Sequence, residues 1–152
     1  DKTIQMCTNM VKERAMKALT SLSADVAEDM PGLHADPTRV KQILLNLLTN
    51  AIKFTPERGK IAVSASLDDQ RAVLIKVEDN GIGINPEDIP KILEPFRQLE
   101  GILTRSHEGA GLGLPLAKSF MELHGGTLII DSEMDRGTTV TMRFPPERTV
   151  DV

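Results

Sequence analysis

The chain has no tryptophan and no tyrosine, and four phenylalanines are its whole aromatic content, 3% of 152 residues. A core built from this sequence must therefore use Leu, Ile, Val, Met and Ala, and each Phe needs its own explanation. Cys7 stands alone, which excludes an intramolecular disulfide and a cysteine metal cluster and fits a reducing compartment. No apolar run approaches the roughly 18 residues of a membrane span. The N-terminus carries no signal-peptide pattern. Nor is there an excess of one charge: the net value is −4 with both signs interspersed, which argues against general nucleic-acid binding but leaves room for a local phosphate site. Repeats, low-complexity segments and interdomain linkers are also missing. The length fits one domain over residues 1–152, enough to bury a core without metal or disulfide staples.

Periodicity supplies the elements that are present. Residues 3–16 read as a helix with Ile4, Cys7, Met10, Val11 and Ala15 near helical spacing, and residues 18–24 as a strand. Pro31-Gly32 marks a turn. The strongest helix opens at Asp36, a good N-cap, followed by Pro37 at the first helical position. Val40, Ile43, Leu44, Leu47, Leu48 and Ala51 then form one apolar face, and the helix ends near Phe54, before Thr55-Pro56. Alternation predicts strands over 61–67 and 73–77, joined by a turn at Asp68-Asp69-Gln70. A short helix over 86–91 is capped by Asn85, and 97–111 reads as irregular. A helix over about 112–124 stops at Gly125-Gly126. Strands over 127–131 and 138–144, joined at Asp135-Arg136-Gly137, complete the order. This order predicts an α+β fold, a two-layer α/β sandwich whose mostly antiparallel sheet is covered by helices on one face.

Three segments carry chemistry. Gln42, Asn46, Asn50 and Lys53 fall within an arc of roughly 80° on the long helix. Such a stripe is either a solvated face or a metal and phosphate site, since an amide oxygen suits Mg²⁺ and a lysine ammonium suits phosphate oxygens. Asp79-Asn80-Gly81-Ile82-Gly83-Ile84 follows a strand directly. It is either a tight turn or the floor of a pocket, where the Asp79 carboxylate would accept from adenine's amino group and repel the carbonyl of guanine. Gly109-Ala110-Gly111-Leu112-Gly113-Leu114 leads into a helix, and amides at such an N-terminus bind anions. It neither follows a strand nor precedes a Lys-Ser/Thr pair, so dinucleotide-binding and Walker-type readings fit poorly.

Together these segments resemble the catalytic, ATP-binding domain of sensor histidine kinases, of the GHKL superfamily with its Bergerat fold. "DPTRVKQILLNLLTNAIKFT" is similar to the N box, "EDNGIGI" to the first glycine box and "ILEPF" to the F box. "SHEGAGLGLPLAKSFMELHGG" is similar to the second glycine box and its helix, and "GTTVTMRFP" to the closing strand. The five motifs stand in the family's order and cover about residues 1–146.

The resemblance implies ATP and Mg²⁺ held between the N-box helix and a lid. Asn50 matches the metal ligand, and Asn46 and Lys53 the phosphate contacts. Phe54 takes the place of an aromatic, more often Tyr, packed on the adenine. Asp79 matches the adenine-reading carboxylate, with Gly81, Gly83 and Ile84 shaping the pocket. Gly109, Gly111 and Gly113 match the lid hinge, Leu112 and Leu114 line the nucleotide, and Arg105 supplies a lid cation for the γ-phosphate. Phe96 would anchor the lid, its alternative being ordinary core packing. Thr139, ahead of Thr138, matches a hydroxyl near the adenine. Departures from the commonest pattern are Ala110, often Thr, Phe54 without a hydroxyl, and Ser106 in place of a second lid cation.

The implied function is transfer of the γ-phosphoryl group to a histidine on a separate dimerisation domain, expected before residue 1, and from there to a response regulator. The alternative is a pseudokinase-type nucleotide-binding or protein-interaction module; a stand-alone serine kinase of the anti-sigma type fits the closing elements less well. No nucleic-acid partner and no direct membrane contact are expected, and a cytoplasmic location is implied for the domain. Related ATPases carry a water-activating Glu where this chain has Gln42, which predicts weak intrinsic hydrolysis. His34, His107 and His124 lack the Glu-x-x-x-x-Pro sequence that follows the family's acceptor, so each reads as structural or solvated.

Overall fold

The computed structural model describes residues 2–28, 30–93 and 110–150, without side chains for 110–113. Three helices lie on one face of a five-stranded sheet. Helix α1 is Lys2–Lys17, α2 Pro37–Phe54 and α4 Ala110–Leu123, with the short α3 at Ile89–Ile92 following a 3₁₀ turn at Pro86–Asp88. Strands β1 (Ser21–Val26), β3 (Lys60–Leu67), β4 (Val73–Asp79), β6 (Gly137–Phe144) and β5 (Thr127–Glu133) are adjacent in that order. Strands β1 and β3 run parallel and the other pairs antiparallel, so the sheet is mixed and mostly antiparallel, as its sequence implies.

Strand alternation and helix periodicity meet at one core. All six predicted apolar-face residues of α2, from Val40 to Ala51, are buried, together with Ile52. They pack on Ile61, Val63, Ala65, Val73, Ile75 and Val77 of the central strands, and on Val140, Met142 and Phe144 of β6. Burial of each such Leu or Ile contributes about 1.5–3 kcal/mol, so α2 anchors the helical layer. Its start is fixed by Asp36, whose Oδ1 accepts from the Thr38 amide at 3.0 Å and the Arg39 amide at 3.4 Å. The buried His124 joins α4 to this cap: its Nε2 accepts from the Asp36 amide at 3.1 Å while Nδ1 lies 2.8 Å from the Phe120 carbonyl. This places His124 in a structural role, as expected. Phe120 carries the Arg39 guanidinium 4.5 Å above its ring, and Phe144 meets His124 edge-on.

Three boundaries depart from expectation. The strand expected over 18–24 starts at Ser21, because α1 is closed by a Schellman turn: Thr20 N–H donates to Ala15 O and Leu19 N–H to Met16 O. Leu19 holds φ 56°, a position that glycine usually takes, so no residue-type signal marked the helix end. Strand β4 continues through Asp79, which puts that carboxylate at a strand end and not in the loop. Finally, β2 (Gly32–Leu33) pairs with β7 (Thr149–Val150) as a small second sheet, two-residue strands that alternation cannot announce. Among the described residues no helix is long and apolar enough to cross a membrane.

Candidate functional site at the end of the sheet

The site grows from the C-terminal half of α2. Along its polar stripe, Gln42 and Lys53 are exposed while Asn46 and Asn50 are half-buried. The Asn50 Nδ2 atom is buried without a hydrogen-bond partner. Leaving a buried amide unpaired costs about 1–3 kcal/mol, and native structures seldom do so without a reason. A bound ligand is such a reason, and turning the amide over presents its oxygen instead.

Opposite lies the first glycine segment, and it is tightly fixed. Asp79 Oδ1 accepts from the Gly81 amide at 2.9 Å. A side chain at Gly81 would place its Cβ 2.3 Å from the Phe54 carbonyl oxygen, and Ile82 N–H donates to that same carbonyl at 3.2 Å. Gly83 has φ +75°, and a Cβ there would sit 2.1 Å from the Glu133 carbonyl oxygen. Only glycine permits this packing of loop on hairpin. The Asp135 amide donates to Ile82 O at 2.8 Å, and the Ile84 amide to Ser132 Oγ at 2.6 Å. The loop is thus held between the end of α2 and the β5–β6 turn.

Between these walls is a cavity of about 40 Å³. Asn50, Phe54, Asp79, Gly83, Ile84 and Leu114 all line it, with Leu47, Ala51, Val77, Thr138 and Val140. Asn50 and Asp79, 29 residues apart in the chain, therefore face one space. Burial pushes the Asp79 carboxyl above its ordinary range, although the hydrogen bonds from the Gly81 and Thr138 backbones pull the other way. A half-buried acid that borders a largely apolar cavity is suited to a donor-bearing ligand edge.

Other predicted residues stand elsewhere. Asn46 and Lys53 are on the same stripe of α2 but are not among the cavity's lining residues. Gly81 backs the site through Phe54 and Asp79. Gly111, Leu112 and Gly113 fall in the first turns of α4. Phe96, Arg105 and Gly109 lie outside the described residues. Thr139 is a correction: it pairs with Glu78 and lines the opposite, helix-free face of the sheet with Lys60 and Asp131. Thr138, paired with Asp79, faces the cavity. The parity shared with buried Val140, Met142 and Phe144 is the signal that selects it. Ser132, which joins loop to hairpin, was not singled out by sequence, because a lone serine at the end of a strand has no distinguishing pattern.

A metal fits this donor set in one way. Among the described residues there is no group of three or more His, Cys, Asp or Glu side chains that could hold an ion. Asn50 can supply one neutral oxygen, so Mg²⁺ here would depend on ligand oxygens for charge.

The family described as histidine kinase-, DNA gyrase B- and HSP90-like ATPases matches residues 35–148. The chain belongs to this family. Within it, the chain is an ATP-binding catalytic domain of the two-component histidine kinase type. It is 43% identical over 139 residues to the Non-motile and phage-resistance protein of Caulobacter vibrioides, covering 90% of this chain and 16% of that protein. With Histidine protein kinase DivJ of the same organism it shares 45% identity over 111 residues, 73% of this chain and 18% of that one. The chain thus spans less than a fifth of these relatives. Among solved structures, full-length ShkA in complex with AMPPNP superposes with a TM-score of 0.85 at 29% identity, over 99% of this chain and 30% of ShkA.

Proposed function

We propose that the chain binds Mg²⁺–ATP in the cavity between α2 and the first glycine loop, and presents the γ-phosphoryl group to a histidine on a dimerisation domain of the same protein. The observation that carries this reading is the meeting of an unpartnered Asn50 amide and the Asp79 carboxylate at one cavity. Asp79 accepts from the adenine amino group on the oxygen that Gly81 does not occupy. Phe54, Ile84 and Leu114 give the base apolar walls. Asn50, through its amide oxygen, is the residue that would hold Mg²⁺. Such an ion would supply neutralisation of charge on the triphosphate. Asn46 and Lys53 hold phosphate oxygens from the same helix face. The resemblance assigns Gly109, Gly111 and Gly113 to the lid hinge at the phosphates, Leu112 to the lining of the nucleotide pocket, Arg105 to the γ-phosphate and Phe96 to the lid.

In the transfer itself, a neutral imidazole nitrogen of the partner domain forms the new N–P bond as the bond from the γ-phosphorus to the β,γ-bridging oxygen breaks, and ADP keeps that electron pair. The imidazole proton leaves to a group on the partner domain, since Gln42 cannot take it. The phosphoryl group then passes to a response regulator.

Titration of a fluorescent ATP analogue with and without Mg²⁺ tests the site. Asn50→Ala should abolish the gain in affinity that Mg²⁺ gives the wild type. Asp79→Ala should weaken binding about tenfold or more in both conditions, as expected when a buried acceptor loses its place opposite a donor. An Asn50→Ala variant with undiminished Mg²⁺ dependence, or an Asp79→Ala variant with wild-type affinity, would overturn the assignment.

A further inference from the structure

Ser132 lies half-buried on β5 where three parts of the site meet. Its Oγ accepts from the Ile84 amide at 2.6 Å, donates to the Gly137 carbonyl at 3.0 Å, and lies 2.7 Å from Thr138 Oγ1. A serine hydroxyl owns one proton. The Gly137 carbonyl can only accept, so that proton goes to it. By distance alone either hydroxyl could donate across the 2.7 Å contact, and with the Ser132 proton on the carbonyl that contact takes the proton of Thr138. Thr138 then has no proton left for the cavity that it lines beside Asp79. Asp79, as a carboxylate, also only accepts.

We propose that Ser132 is a positioning residue for base selection: by drawing the Thr138 proton away, it makes the polar floor of the pocket all acceptor, and so favours a 6-aminopurine over a 6-oxopurine. This rests on the reading of the cavity as the adenine site. An exocyclic amine brings two N–H donors to two acceptors. A 6-oxopurine brings a third acceptor at that position, and its single N1–H cannot satisfy both floor acceptors, so the oxo oxygen is left facing an acceptor. Without the Ser132 hydroxyl, Thr138 is released to rotate and donate to that oxo group. Asp79 alone then carries the discrimination. Losing the bond to Ile84 also loosens the loop, but that weakens both kinds of base alike and leaves their ratio unchanged.

The ratio is thus the quantity to measure. ADP and IDP are titrated into the chain as wild type, Ser132→Ala, Ser132→Thr and Thr138→Val, with thermal melts to establish folding. The wild type should prefer ADP. Ser132→Ala should reduce the ADP:IDP affinity ratio about tenfold, Thr138→Val should reduce it through weaker ADP binding, and Ser132→Thr, which keeps the hydroxyl, should hold it near the wild-type value. An unchanged ratio in a folded Ser132→Ala variant, or an equal weakening of both nucleotides, overturns the proposal while the adenine site stands. Should that variant fail to fold, an unchanged ratio in Thr138→Val does the same. A wild type that binds neither nucleotide overturns the adenine site itself.

Discussion

Two aspartates of this chain are moved in opposite directions by their surroundings. Asp68, in the β3–β4 turn, accepts from the amides of Ala72 and Gln70 and from Arg143, and these hold its carboxyl below the ordinary value. Asp79 is pushed above that value by burial. For Asp79 the linkage sign is fixed: the folded chain holds this proton more tightly than the unfolded chain, so burial of the charge weakens the fold in full above the folded pKa. The burden lifts as pH falls toward the unfolded value of about 4. Asp79→Asn should therefore raise the melting temperature of the ligand-free chain at neutral pH, with the gain shrinking as the pH approaches that of a free carboxyl. The same change should weaken ADP binding about tenfold or more, because the amide oxygen stays with the Gly81 N–H and the NH₂ group is left facing the adenine amine. Calorimetric melts across pH, paired with ADP titration, read both effects. A variant that is no more stable than wild type at neutral pH contradicts the burial argument.

Among the elements, the end of α1 offers a test of stability alone. Leu19 holds φ 56° with an exposed side chain, so its packing contributes little against the strain of a left-handed position. Leu19→Gly should stabilise the chain by about 0.5 kcal/mol, the strain removed slightly exceeding the extra freedom of the unfolded chain, and urea denaturation checks it. A destabilised variant would mean that Leu19 packs more than its exposure implies. The same residue shows why some elements were legible in sequence and others were not. Helix α2 was announced three times over, by the Asp36 cap, Pro37 and an unbroken apolar period. The start of β1 was not, because a leucine fills the position where glycine would have shown the break. The β2–β7 pair joins residues 32–33 to 149–150 through two-residue strands, a tertiary fact with no local period. At the candidate site, helical spacing and a post-strand glycine loop single out Asn50 and Asp79, and the fold brings both to one cavity. The resemblance points to Thr139 ahead of Thr138 whereas strand parity puts Thr138 at the cavity, and Ser132 depends on hydrogen bonds between segments that only the fold brings together.

At the scale of the whole molecule, the helical layer and the sheet converge where α2 ends, β4 ends and β6 begins, and the cavity sits at that convergence. Among the described residues, those proposed to meet the triphosphate are amides and a lysine, none of them a general base for water. Asp79 is engaged by the Gly81 amide at the base end of the cavity, and the stripe of α2 offers only amides and a lysine. Gln42 stands exposed two turns before Asn50 on the same stripe. An amide has no basic lone pair with which to take a proton from water, so on the proposed reading the nucleophile comes from the partner domain. The chain alone should release phosphate from Mg²⁺–ATP only slowly, and Gln42→Glu should raise that rate by about tenfold or more, toward the hundredfold and larger effects typical of a positioned base. Phosphate release under saturating nucleotide, with Asn50→Ala as the background, measures both. Rapid release by the wild type would show that water is activated without Gln42, and an unchanged rate in Gln42→Glu would show that this turn of α2 does not face the γ-phosphate.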